Sequence, residues 1–369
     1  MKQRSLMVLG LLLVSALGGL TSSYADTHQS TAVFSGDPTQ VFRSTDHPNR
    51  VAASAAAKQQ CEQARGTREG YCEIVSIDGT AIGRAIDLKP VDENHPLFLW
   101  RYQNGQATVY LGGTVHVLKE GFYPLPRQYE QAFQASEKLV VEAAIDKIQP
   151  EQMQQKMLSY ALLEQGTLRD VLSPATYKQL NRYALAYGLP LEQMQGFNPA
   201  LISQQLSVFA IMAMGYDPTL GMEAHYSARI EPENLLELES VDAQLALLLG
   251  QPLNVQRAML RDALAQFDEL AEQTDDLLGA WARGDDRRLG ELIREQTGTS
   301  PEARQFMRKL LDDRNVNMAS GIAKMLQSSG SYFVLVGSAH LAGPQSIITE
   351  LRRRGFSGQR IYSSDTSVN

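Results

Sequence analysis

The sequence predicts an α/β fold, or more loosely α+β: a central mixed sheet built from two strand, Gly-x-x-His, helix, strand repeats, flanked by helices, with a long helical insertion between the repeats. Three observations carry this. TVYLGGTVH, ending at His116, and YFVLVGSAH, ending at His340, are apolar runs too short for helices, and each breaks at glycine just before its histidine. Each is followed by a loop, a proline-led helical stretch and another strand, KLVVEAA in the first case and QRIYSS in the second, so the two segments echo each other. Residues 150–330, between them, carry helical patterning without a convincing strand.

The chain opens with two basic residues, an apolar run from Leu6 to Leu20 and small residues around Ser23 and Ala25. This is the layout of a secretory signal peptide over residues 1–25, with cleavage expected before Asp26. The run is shorter than the ~20 residues a membrane-spanning helix needs. The expectation is therefore an exported chain, periplasmic or secreted, with no membrane span after cleavage. Formal charge is −7, and losing Lys2 and Arg4 with the leader takes it to −9. That argues against nucleic acid as a partner bound through charge.

Residues 26–96 read as an amino-terminal extension. Its first part, to about residue 50, is rich in Ser, Thr, Asp, Pro and His and predicts a flexible lead-in, with no specific role for His28 or His47. An Ala-rich helix near 50–65 follows, then two short strands around the turn pair Asp78-Gly79. Cys61 and Cys72 are the only cysteines, and in an exported chain such a pair most simply forms a disulfide.

The main domain is predicted over 97–369. It starts with a hairpin whose two strands flank Asn104-Gly105, the second ending in a glycine turn and His116. A helix led by Pro126 comes next, then the strand that carries Glu142. In the helical tract, Ser173-Pro174 and Asn198-Pro199 are strong helix starts, a capping residue followed by proline in the first turn. The tail supplies the second repeat, from YFVLVGSAH to QRIYSS.

GTVH at 113–116 and GSAH at 337–340 share one logic. Glycine permits a tight turn off the strand, the hydroxyl residue bonds into that turn, and the histidine is held where it can ligate a metal or carry a proton. The repeat would bring both histidines to one sheet edge. Glu142, at the end of an interior strand, needs a buried partner. Two imidazoles and a carboxylate are the three protein ligands typical of a catalytic divalent site that keeps a position open for water.

The paired GTVH and GSAH motifs, the YPLP after the first, the VVEA strand, GMEAHYSARI at 221–230, LELES and DDRNVNMASGIAKML at 312–326 together resemble the TraB/GumN family. That family includes the Tiki metalloproteases and is similar in layout to erythromycin-esterase-like proteins. The resemblance spans about 97–363. It implies a functional set of His116, His340, Glu142 and Arg314, the last from the Arg-Asn pair in DDRNVNMA. It also implies a divalent metal cofactor, leaning to Mn or Co, while histidine and carboxylate ligands suit Zn as well. Arg314 could bind a substrate carboxylate or stabilise an oxyanion. Glu239 in LELES also resembles a family position and is the rival acid, but its acidic segment with Glu231, Glu233 and Glu237 favours ordinary surface. Glu223 and His225 could line the pocket, but a helix spacing of two does not put them on one face to chelate.

The leading expectation is an exported metal-dependent hydrolase, in the manner of a metallopeptidase, acting on a peptide or small-molecule substrate. In it His116 and His340 hold the ion, and Glu142 completes the site or activates the bound water. Two alternatives stand beside it. One is a metal-independent esterase-like hydrolase with His116 as general base and Glu142 orienting it. The other is a non-catalytic exported protein that binds a peptide or haem.

Overall fold

The computed structural model describes residues 27–297 and 300–368. The predicted signal peptide lies outside the described residues. Two sheets organise the chain, one of four strands and one of six.

The smaller sheet, ordered β2-β1-β3-β4, is antiparallel throughout. It consists of β1 (His28–Phe34), β2 (Asp37–His47), β3 (Cys72–Ile77) and β4 (Thr80–Ala81). Residues 28–47 therefore form a hairpin where the sequence predicts a flexible lead-in. The polar composition misleads because β2 lies at the edge of the sheet and is largely exposed, while Ala32, Val33 and Phe34 of β1 are buried. The histidines are engaged too: His28 Nδ1 pairs with Asp78 Oδ2 at 2.8 Å, and His47 bonds Ser44. The Ala-rich helix is present at Arg50–Arg65, and the turn at Asp78-Gly79 has both residues at positive φ, as a tight primed hairpin turn requires. The Cys61–Cys72 disulfide ties that helix to β3, with Cα atoms 6.0 Å apart.

The larger sheet runs β10-β5-β6-β9-β7-β8. Its strands are β5 (Pro96–Asn104), β6 (Ala107–Thr114), β7 (Lys138–Val141), β8 (Leu235–Glu237), β9 (Gly330–Gly337) and β10 (Gln359–Tyr362). β5 pairs antiparallel with β6 through the predicted turn, whose Gly105 has φ +57°. β6 and β9 are parallel neighbours, and β7 and β8 continue the parallel block. Phe333 to Val336 are fully buried, as strands covered on both faces must be. The two repeats are thus real: β6 leads through a helix to β7, and β9 leads through a helix to β10. They are not perfectly symmetric, because β5 is inserted between β6 and β10. β8 corrects the reading of 150–330 as strand-free. It is only three residues long, too short to leave a periodic signal.

Helices from the insertion cover the sheet. Ser173 and Asn198 cap the helices Pro174–Tyr187 and Pro199–Ala213, accepting from Thr176 N and Leu201 N. The amino-terminal layer is anchored to the rest by buried polar bonds. Lys119 Nζ donates to Gly83 O at 2.6 Å, and Gly83 N donates to Asp275 Oδ2 at 2.7 Å. Among the described residues, no helix is long and apolar enough to cross a membrane.

Candidate functional site

The parallel register of β6 and β9 sets the two histidines. Thr114 lies opposite Gly337, so His116 is two residues past that level and His340 is three. The extra residue is absorbed because Ser338–Leu341 coils into a 3₁₀ turn. Three residues of such a turn, at ~2.0 Å each, advance about as far as two residues of extended chain, at ~3.3 Å each. Both imidazoles arrive at the same height beyond the carboxyl ends of the parallel strands, where α/β sheets place their ligands.

Gly337 marks the meeting point. A Cβ built on it would stand 3.2 Å from Glu142 Oε1, 3.7 Å from His116 Nε2 and 3.7 Å from His340 Cδ2. The missing side chain lets a ligand pack directly on the Gly337 main chain, at the point where all three side chains converge. Gly337 N also donates to Glu142 Oε1 at 2.6 Å. A second glycine, Gly221, lets the start of the helix Met222–Ser227 press against the His116 carbonyl, where a Cβ would come to 2.4 Å. From outside, the indole of Trp281 donates to Gly113 O at 2.9 Å and steadies the end of β6.

Arg314 is the hub. It is 12% exposed and follows a wide π-helical turn at Arg308–Asp312. Nη2 donates to Glu142 Oε2 at 2.5 Å, Nε to Glu239 Oε2 at 2.7 Å, and Nη1 to both His340 Nε2 and Leu310 O at 3.2 Å. It is not a charge on a solvated helix face. Nor is Glu239 ordinary surface. Past β8 the chain stays pinned to β7, with Leu238 N donating to Val141 O and Glu239 N to Glu142 O, so Glu239 lands beside Glu142 at 13% exposure. Burial lifts the Glu239 pKa despite the guanidinium. Burial would lift Glu142 as well, but the imidazole of His340 and the Arg314 guanidinium hold it down to about 2.

The two imidazoles have opposite surroundings. His340 is buried and donates through Nδ1 to Asn315 Oδ1 at 2.6 Å. The direction is fixed because the Asn315 amide nitrogen donates elsewhere, to Gln345 O. The lone pair of His340 is therefore on Nε2, facing the site. Burial and the nearby guanidinium push its pKa down to about 4, Glu142 notwithstanding. His116 instead sits 3.2 Å through Nδ1 from Glu223 Oε1, which also takes a hydrogen bond from Thr114 Oγ1. Burial opposes its charge, but Glu223 and then Glu142 outweigh that and raise it to about 9. At neutral pH His116 is an imidazolium whose Nε2–H points into the site, and His340 is neutral.

Glu223, expected at most as pocket lining, joins this cluster through His116 and Thr114. It and His225 diverge: Glu223 turns into this site, while His225 turns to a separate aromatic recess against Tyr123. Glu223 Oε2 is buried without a hydrogen-bond partner. The GMEAHY segment carried the signal, since a carboxylate beside a glycine-led helix start can reach the loop that glycine touches.

A divalent ion held by His116, His340 and Glu142 would need their lone pairs. Glu142 Oε2 and His340 Nε2 already accept from Arg314, and Glu142 Oε1 accepts from Gly337 N. Among the described residues, no group of three or more His, Cys, Asp or Glu side chains could hold a metal ion. In this arrangement the Arg314 guanidinium holds the place beside Glu142 and His340, so His116, His340 and Glu142 would hold a divalent cation only if Arg314 released His340 Nε2.

The polar cluster forms the floor of a cavity of about 110 Å³, walled by aliphatic side chains of the helical insertion.

Residues 98–360 match the model of the TraB/PrgY/gumN family, and the chain belongs to that family. A curated relative, an uncharacterized protein of Treponema pallidum (strain Nichols), is 22% identical over 266 residues, which are 69% of this chain and 80% of the relative. No solved structure matches the chain.

Proposed function

We propose that this member of the TraB/PrgY/gumN family is a hydrolase that works by paired imidazoles, His340 as general base and His116 as general acid, with no metal ion required. The observation that carries the reading is the convergence of three side chains on the bare face of Gly337, whose Cβ position would lie within 3.7 Å of His116 Nε2, Glu142 Oε1 and His340 Cδ2. A substrate carbonyl packed against this bare face of Gly337 meets a base on one side and a proton donor on the other.

Each residue has a task. Arg314 gives up the hydrogen bond to His340 and keeps its second Nη1 hydrogen on Leu310 O, freeing His340 Nε2 to take a proton from water. The hydroxide attacks the carbonyl carbon, and the developing oxyanion lies beside the Arg314 guanidinium. As the bond to the leaving group breaks, His116 Nε2 delivers its proton to that group. Glu223 holds the tautomer and charge of His116, as the carboxylate of a catalytic triad does. Opposed environments that push two like groups apart in pKa assign acid and base.

The test is a pH–rate profile of the purified protein, recorded with and without a chelator. Activity needs His340 neutral, which is lost as pH falls through about 4, and His116 protonated, which is lost as pH rises through about 9. The expected profile is a broad bell that survives chelation. Glu223→Gln removes the main force raising His116, so its basic limb moves down towards the ordinary imidazole value of 6.5. Abolition by chelator, with recovery on adding Mn, Co or Zn, would establish the metal-dependent alternative instead.

Gly337→Ala places a methyl 3.2 Å from Glu142 Oε1, on the face against which the carbonyl packs. Displacing reacting groups by ~1 Å costs on the order of 10²-fold in rate. The expected result is a kcat/KM fall of that size, with a melting temperature within a few degrees of the parent's.

A further inference from the structure

We infer that the substrate is an acyl compound, an ester, thioester or acyl amide, of an unbranched aliphatic acid of medium length, its tail in the leucine-walled cavity and its carbonyl at Gly337. This deepens the hydrolase reading and rests on it for the identity of the reaction. The binding claim stands on the cavity alone.

The walls come from five separate helical segments, represented by Ile211, Leu248, Leu277, Leu289, Ile293 and Leu311. Among the described residues, no Phe, Tyr or Trp side chain lines the cavity, and its charged groups, His116, Glu142 and Arg314, are all at the floor. Aliphatic lining without rings suits a flexible hydrocarbon better than a planar ligand. Of the four uncharged polar lining residues, Thr114, Gln244, Thr274 and Ser338, the first three make hydrogen bonds within the protein. Gln244 Nε2 donates to Glu142 Oε2 at 3.3 Å, and Thr274 Oγ1 donates to Leu270 O at 2.7 Å. A peptide segment drawn into this space would bury more backbone N–H and C=O groups than these few side chains could pair. A hydrocarbon tail makes no such demand. The cavity of about 110 Å³ is several times the ~10–15 Å³ that a single water-sized group needs, so it admits a chain of several such groups.

The reaction balances as simple hydrolysis. Water loses a proton to His340 Nε2, the hydroxide oxygen bonds the acyl carbon, the acyl–heteroatom bond breaks, and the leaving group takes the proton of His116. Acid and alcohol, thiol or amine result, with no redox partner.

The experiment measures binding of neutral, slowly hydrolysed linear alkanamides of two to ten carbons to the whole protein by calorimetry, beside hydrolysis of p-nitrophenyl esters of the same lengths. Affinity is expected to rise about fourfold per methylene, the factor for moving CH₂ out of water, and to level off as the cavity fills. Leu311→Trp should bring the plateau to shorter chains and Leu277→Ala to longer ones; either variant suffices if the other does not fold. Affinity independent of chain length overturns the inference, as does a plateau that neither variant moves, or an apolar peptide that binds where octanamide does not. If the amides bind with the expected length dependence but the esters are not cleaved in a His340-dependent way, the hydrolase reading fails and the cavity assignment stands.

Discussion

His340→Ala is expected to lower kcat/KM by about 10²–10⁴-fold, the range general acid–base residues contribute. The imidazole is 4% exposed and fixed at both nitrogens, Nδ1 to Asn315 and Nε2 facing Arg314. Among the described residues, no other neutral imidazole or amine stands at the Gly337 face, so no neighbour substitutes. Truncation also leaves Asn315 Oδ1 without its donor, costing ~1–3 kcal/mol of stability, which a melting curve would register separately from the rate. Asn315→Ala offers the control. It keeps the imidazole but releases its tautomer, so the rate should fall less than in His340→Ala and the acidic limb of the pH profile should move. An unaltered rate in His340→Ala would end the proposal that this imidazole is the base.

Arg314→Met should have the largest effect on stability. Glu142 and Glu239 are 8% and 13% exposed and share this one guanidinium. Removing one partner of a buried ionic cluster costs ~3–5 kcal/mol, because the other charges stay buried without compensation. The sign of the pH dependence separates this from a simple packing loss. In the parent, the Glu142 pKa is depressed to about 2, so its contribution is present above the unfolded value of ~4.3 and is lost as pH falls towards 2. In Arg314→Met, the two carboxylates face each other and their pKa values rise above the unfolded one. Their penalty is then full at neutral pH and relieved as acid neutralises them. Urea unfolding at pH 7 and pH 4 should show the gap between parent and variant narrowing at the lower pH, and adding Glu142→Gln should recover part of the loss.

Much of this site was legible because it is written twice. GTVH and GSAH announce themselves through repetition, and the α/β sheet with both histidines at one edge follows from them. Glu142 was readable as a carboxylate that an interior strand could not tolerate unpaired. Arg314 came only from the resemblance to a family, since its partners lie 75 and 172 residues away in sequence. Glu239 was missed for a related reason. Its neighbours in sequence are solvated acids, and only the pairing of β8 with β7 draws it inside. The proton arrangement was beyond any pattern, because Asn315 and Glu223 reach the histidines through tertiary packing. The aliphatic walls were equally hidden, spread from residue 211 to 311 as unremarkable core leucines. The β1–β2 hairpin was lost because edge strands have the composition of loops.

The bond from the Trp281 indole to Gly113 O has a practical outcome. The chain holds only two tryptophans, and this one grips the main chain three residues ahead of His116. Any shift of that loop, on ligand entry or in a substitution such as Glu223→Gln, alters the field around the ring and therefore its emission. With Trp100→Phe removing the other fluorophore, the protein becomes its own optical gauge of occupancy, readable in stopped flow without a label or a chromogenic ester.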